Sequence, residues 1–206
     1  MSNIKDEPFD VELPDQKTGG CSFAIVASTR AGKTTLMKYI IKEYFKKHIN
    51  VLMSNSIHAE IYKEINDCIK SPVFSPRVVK EAYDINRKTH NHYPFLFILD
   101  DIVNAKFDKE LLKLFTIYRN SGLSCIMNVQ SPMLLNTASR GNINFMILGK
   151  LNSEEMIEKV IRMYLMTSLQ GKMTEKVMTY KKLTEGHHFI LVNNITGEIF
   201  RFKIRV

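Results

Sequence analysis

The stretch that most constrains the fold runs from residue 23 to residue 35, Phe-Ala-Ile-Val-Ala-Ser-Thr-Arg-Ala-Gly-Lys-Thr-Thr. Apolar residues 23–27 lead through a small-residue loop into Gly32-Lys33-Thr34, and a helix-like run over 35–48 follows. Strand, loop, Gly-Lys-Thr and helix in that order is the context that separates a phosphate-binding loop from a chance match. Successive backbone N–H groups and a helix N-terminus make an anion nest, and Lys33 adds a point charge for β- and γ-phosphates. Thr34 offers a hydroxyl to Mg²⁺, and Gly32 lets the backbone approach the phosphates closely. Ser28, Thr29, Arg30, Ala31, Gly32, Lys33, Thr34 and Thr35 are therefore the candidate nucleotide-binding residues. The first glycine usual in such loops is replaced by Ala27. The competing reading is an ordinary strand-to-helix turn that happens to contain Gly-Lys-Thr.

A second signal is Phe95-Leu96-Phe97-Ile98-Leu99 running into Asp100-Asp101. A buried strand that ends in acids delivers carboxylates to the C-terminal edge of a parallel sheet, where ligands bind. The expectation is a strand neighbouring the phosphate loop, with Asp100 as Mg²⁺ ligand and Asp101 as general base for water. Gln130 ends the next apolar strand, where a carboxamide can hydrogen-bond both the γ-phosphate and the attacking water. Arg119, at the end of the preceding helix, and Arg140, in the loop before the fifth strand, are candidates to supply positive charge from a neighbouring subunit. Arg30 is a third, acting in cis. A helix cap for the acids, a turn role for Gln130 and a surface role for Arg119 are the bland alternatives.

The remainder reads as alternating strands and helices, which implies an α/β fold with right-handed parallel βαβ units. Residues 1–20 are expected to form an acidic arm outside the core, and 21–206 a single domain. Further expectations are a strand over 49–54, a short helix over 59–70 and a helix over 76–89 begun by Ser75-Pro76. Asp108 is expected to cap a helix reaching residue 120. Strands follow over 123–129 and 144–148, a helix over 153–167 capped by Ser153, and a C-terminal β-hairpin over 189–206. In its last strand Phe200, Phe202, Ile204 and Val206 share one face, and Arg201, Lys203 and Arg205 the other, which reads as a solvated edge.

Charge narrows the partners. The chain of 206 residues has a net charge of +8. Residues 1–16 carry Lys5 against Asp6, Glu7, Asp10, Glu12 and Asp15, a net of −4, so the rest carries +12. A basic body suits a polyanion such as DNA or RNA, or an anionic surface, although a lysine-rich solvated surface gives the same number. No apolar run approaches the roughly 18 residues that span a bilayer. Cys21, Cys68 and Cys125 lack metal-site spacing and read as reduced thiols. His187-His188 has no matching ligand cluster, and the methionines read as core filler.

Taken together, residues 28–34, Ile98-Leu99-Asp100-Asp101, Tyr118-Arg119-Asn120 with Ser124, and Asn128-Val129-Gln130-Ser131 resemble the FtsK/HerA superfamily of P-loop ATPases. Within it the chain is most similar to the genome-packaging ATPases of poxvirus-like large DNA viruses and virophages. The resemblance spans about residues 20–150. It implies a RecA-like core and a homo-oligomeric ring, hexameric or pentameric, that uses ATP and Mg²⁺ to drive double-stranded DNA into a capsid at a portal vertex. It places such a protein in the host cytoplasm, in the viral factory or with the virion. It supports Lys33 and Thr34 for phosphate and Mg²⁺, Asp100 for Mg²⁺, Gln130 as sensor and Arg119 as the finger acting between subunits. Asp101 stands where many relatives carry Glu. Two other classes remain open at this point, a small-molecule kinase and a nucleotide-gated binding module without turnover.

Overall fold

A computed structural model describes residues 2–15, 19–65, 68–102 and 109–204. Its centre is one nine-stranded sheet. The strands are β1 (Lys5–Asp6), β2 (Ser22–Val26), β3 (Ile49–Ser54), β4 (Cys68–Ser71), β5 (Phe95–Asp100), β6 (Leu123–Val129), β7 (Phe145–Leu148), β8 (Phe189–Asn193) and β9 (Ile199–Phe202). Their spatial order is β1-β9-β8-β7-β2-β6-β5-β3-β4. From β7 to β4 every pairing is parallel, whereas β8 runs antiparallel to both β7 and β9. The expected C-terminal hairpin is therefore present, and it extends the parallel core.

The middle strands are apolar because both faces are covered. Along β2, Phe23 and Ile25 enter one core layer with Leu36, Met37 and Ile40 of the helix α1 (Lys33–Tyr44). Ala24 and Val26 turn to the opposite layer, as the period of two requires. That layer lies against α2 (Pro76–Lys88), α3 (Lys109–Phe115), α5 (Glu154–Val160) and α6 (Met173–Leu183). The short α4 (Thr137–Asn142) precedes β7. Ser75 accepts a hydrogen bond from the Val78 N–H with proline inside the first turn, so α2 starts where its cap residues place it. Ser153 caps α5 in the same way, and a π-helical turn, Ile161–Leu165, continues it. Asp108, expected as a cap, lies outside the described residues, as do Arg205 and Val206.

Four expectations are corrected. Residues 59–70 do not make a helix: a 3₁₀ turn, Glu60–Tyr62, is followed by the edge strand β4, parallel to β3. The helix expected to reach residue 120 ends at Phe115, and a separate 3₁₀ turn, Tyr118–Ser121, leads into β6. The region before residue 21 does not stay outside the core, since Phe9 and Val11 are buried in the α1 layer and β1 pairs with β9. Phe9 packs at 4.5 Å from the Phe202 ring. Finally, the polar face of β9 is not simply solvated. Arg201 holds Asp6 of β1 in a two-point ion pair at 3.1 and 3.2 Å and donates to the Leu183 carbonyl. No disulfide joins the three cysteines, and burial pushes the Cys21 and Cys125 thiols well up.

Candidate nucleotide site

The strands β2, β6 and β5 lie side by side, so their C-terminal ends open onto one edge. The phosphate loop leaves β2, Gln130 follows β6, and Asp100 ends β5. The acids are thus not on the strand next to the loop: β6 lies between them and carries Gln130 into the gap. A cleft of about 380 Å³ opens here. Thr29, Arg30, Gly32, Lys33, Thr34 and Thr35 form one wall, and Asp100, Asp101 and Gln130 the other.

Local backbone geometry shapes the loop. Arg30 (φ 62°) and Gly32 (φ 90°) both sit in the left-handed region, where glycine is unstrained and arginine is not. No side chain caps α1 and no acid occupies its first turn, so its first N–H groups are free to meet an anion. Lys33 is only 8% exposed, and its Nζ donates to the Ala27 and Ser28 carbonyls at 2.7 and 2.9 Å. Burial lowers its pKa, against the opposing pull of Asp101 and Asp100. A polyphosphate in the cleft would supply the countercharge that two carbonyls only partly provide.

The acid side is a buried polar cluster. Asp100 is 2% exposed, and its Oδ2 accepts from the Tyr62 hydroxyl at 2.8 Å and lies 3.5 Å from Thr34 Oγ1. Ser54 Oγ donates to Tyr62 Oη at 3.2 Å. Burial raises the Asp100 pKa, and the neighbouring Asp101 adds to the rise; Tyr62, Asn128 and Lys33 oppose it. Asn128 is the register partner of Asp100 on β6, and its buried Oδ1 has no hydrogen-bond partner. The Thr34 hydroxyl and the Asp100 carboxylate are a pair of hard-oxygen donors at the cleft, which fits Mg²⁺, an ion that keeps most of its waters. Asp101 occupies the left-handed region (φ 56°), and its carbonyl accepts from Asn55 Nδ2 at 3.0 Å.

Not every expected residue reaches the cleft. Ser28 and Ala31 do not line it; the Ser28 N–H bonds the Lys150 carbonyl and its Oγ accepts from the Asn152 N–H. Arg119 precedes β6 at the opposite edge of the sheet, roughly 20 Å away at the rise of a β-strand. There its guanidinium donates to the Asn142 carbonyl. Arg140 is held by the Pro132 and Leu135 carbonyls and by Thr137. Conversely, Tyr62, Ile61 and His187 belong to the site and were not expected there. Tyr62 sits in a segment read as helix, and His187 is 154 residues from Lys33 in sequence, so neither had a local motif to announce it.

This topology, with a phosphate loop and an acid pair on strands that flank a third, is that of a RecA-like P-loop fold. The sequence profile of the Poxvirus A32 protein family matches residues 73–200, more than half of the chain, and the protein belongs to that family. No curated protein sequence matches it. Among solved structures it is similar to B204, the DNA-packaging ATPase of Sulfolobus turreted icosahedral virus, with a TM-score of 0.66 at 16% identity, covering 92% of this chain and 100% of that one. The B204 genome-packaging NTPase of Sulfolobus turreted icosahedral virus 2 in complex with AMPPCP gives 0.62 at 14% identity over the same shares. The pCW3 conjugation coupling protein TcpA with ATPγS gives 0.65 at 12% identity, covering 94% of this chain and 62% of that one. Among the described residues no helix is long and apolar enough to cross a membrane.

Proposed function

We propose that this protein is an ATP-hydrolysing motor that drives double-stranded viral DNA into a capsid, working in the host cytoplasm as a homo-oligomeric ring. The observation that carries the reading is the convergence of Lys33, Thr34, Asp100, Asp101 and Gln130 on one cleft in a chain of the A32 family. Residues 21–206 act as one ATPase unit, and the segment that precedes them contributes Phe9 and Val11 to its core. Its relatives in structure include the packaging ATPase B204, and a net charge of +12 outside residues 1–16 suits a DNA partner.

The α1 N-terminus and the loop N–H groups bind the phosphates, and Lys33 exchanges its two carbonyls for β/γ-phosphate oxygens. Thr34 and Asp100 would hold Mg²⁺, whose charge would offset that developing on the phosphates. Asp101 accepts the proton of the attacking water while Gln130 holds that water and reads the terminal phosphate. Asp carries a shorter reach than Glu, and Asp101 lines the cleft from a left-handed turn just after β5. Arg119 and Arg140 cannot serve their own cleft: one lies at the far edge and the other is bound to its own loop. Arg119 acts on the site of the next subunit.

The test is steady-state ATP hydrolysis with and without long double-stranded DNA. Wild type is expected to release phosphate to water and to be stimulated by DNA, with Lys33→Ala and Asp101→Asn each at least about 10²-fold slower. Hydrolysis indifferent to DNA in the oligomer, or transfer of the γ-phosphate to a nucleoside, would overturn the reading.

A further inference from the structure

Beside the phosphate cleft lies a second pocket of about 300 Å³, and the two share Gly32, Thr35 and His187. Phe189 of β8 and the segment Lys203-Ile204 after β9 complete its lining. We propose that the base of the bound nucleotide occupies this pocket, with the His187 imidazole as its flat wall, so that the C-terminal hairpin is part of the nucleotide site. The proposal rests on the first cleft holding the phosphates.

Continuity is the first argument. A nucleotide whose phosphates wrap the α1 N-terminus must send its ribose and base outward past the first helical turn. Thr35, exposed on that turn, borders both cavities. The second is chemistry. An imidazole, a phenyl ring, an isoleucine and the methylene stem of a lysine offer an aromatic bases can stack on and apolar surface to receive it. The third is independent of both. Gly186 (φ 63°) and His187 (φ 60°) are consecutive left-handed residues, and for a histidine that conformation is costly. The turn is pinned by the His188 N–H and Nδ1, both at the Glu185 carbonyl. It brings His187 back over the loop: a Cβ built on Gly32 would lie 3.4 Å from His187 Nδ1. The strain is thus spent on holding one ring between the two cavities. Behind it, Phe189 and Phe202 stack at 5.8 Å and fix the hairpin floor.

The experiment compares binding of ATP with binding of inorganic tripolyphosphate, each with Mg²⁺, by calorimetry on the full chain. Variants are His187→Ala, Ile204→Asp and Lys33→Ala. Placing a carboxylate in the pocket should weaken ATP about tenfold and leave tripolyphosphate within about twofold, and losing the stacking wall, which also borders the phosphate cleft, should weaken ATP several-fold more than tripolyphosphate. Lys33→Ala should weaken both ligands. If His187→Ala and Ile204→Asp bind ATP like wild type, or weaken both ligands equally, the base lies elsewhere although the phosphate cleft stands. If instead Lys33→Ala changes neither ligand, the phosphate cleft is wrong and this proposal falls with it.

Discussion

Tyr62→Phe removes one oxygen and leaves the ring in place, which makes it a sharp probe of the acid cluster. That oxygen donates to Asp100 Oδ2 at 2.8 Å and accepts from Ser54 Oγ at 3.2 Å. All three residues are buried, so water cannot replace the lost donor. A hydrogen bond to an ionised acceptor contributes about 1.5–3 kcal/mol, and removing it leaves both the carboxylate and the serine hydroxyl short of a partner. In a chain of this size each kcal/mol shifts Tm by about 2–4 °C, so the variant should melt roughly 3–12 °C lower at neutral pH. The pH dependence carries a definite sign. Asp100 has its folded pKa raised above 3.8, chiefly by burial. The native state therefore holds that proton where the unfolded chain has lost it, and its contribution to stability falls as pH rises from 3.8 to the folded value. The tyrosine lowers that pKa, so it supports the ionised form only. The gap between Tyr62→Phe and wild type should be full above the folded pKa of Asp100 and shrink as pH falls through it, before reaching 3.8. Urea unfolding of both proteins across that range measures the gap. A variant within about 0.5 kcal/mol of wild type at neutral pH, or a gap that widens in acid, would refute the account of this cluster.

Arg119→Ala should fold normally and lower hydrolysis; mixed with wild type, it should depress the total below a weighted average, because each variant subunit disables its neighbour's site. Simple averaging in ATPase assays of mixed rings would exclude a role between subunits. Gly20→Ala tests the packing of the lead-in against β6: the added Cβ would lie 2.0 Å from the Leu123 carbonyl oxygen and 2.3 Å from its carbon. Backbone cannot yield cheaply, so urea denaturation should show a loss at or above the upper end of the ~1–3 kcal/mol typical of overpacking.

The parts legible in the sequence were those written by local rules. The strand β2, the Gly32-Lys33-Thr34 corner and the β5 strand ending in Asp100 each combine an apolar run with an abrupt polar stop, and the structure forms each of them where the sequence places it. Ser75-Pro76 and Ser153 announced their helices because capping is a matter of three residues. What stayed hidden depended on distant partners. Residues 59–70 read as helix by composition, but Cys68–Ser71 becomes a strand because β3 offers an unpaired edge. Phe9 and Val11 look like arm residues until Tyr39, Tyr44 and Phe202 arrive around Phe9 from elsewhere in the chain. Strand order was equally invisible: nothing local says that β6 inserts between the loop strand and the acid strand, yet that insertion is what aims Gln130 into the cleft.

Ala27 shows how the site tolerates the missing glycine. A glycine is required where the backbone is left-handed or where another group comes too close for a Cβ. Ala27 is not among the positive-φ residues, so the first need is absent. Its N–H continues the parallel ladder to the Val129 carbonyl at 3.1 Å, and its own carbonyl receives Lys33 Nζ at 2.7 Å. The second need has moved to the next strand. At Gly149, just after β7, an added Cβ would meet the Ala27 Cβ at 2.9 Å and the Phe189 ring at 2.8 Å. One methyl group fits between β2 and β7 at this height, and here residue 27 supplies it while residue 149 gives way. The Gly149 N–H bonds the Val26 carbonyl at 2.9 Å, so the two strand ends are locked in register where the methyl sits. The loop therefore keeps its opening, because left-handed turns at Arg30 and Gly32 shape the phosphate nest and position 27 needs no positive φ to contribute its carbonyl.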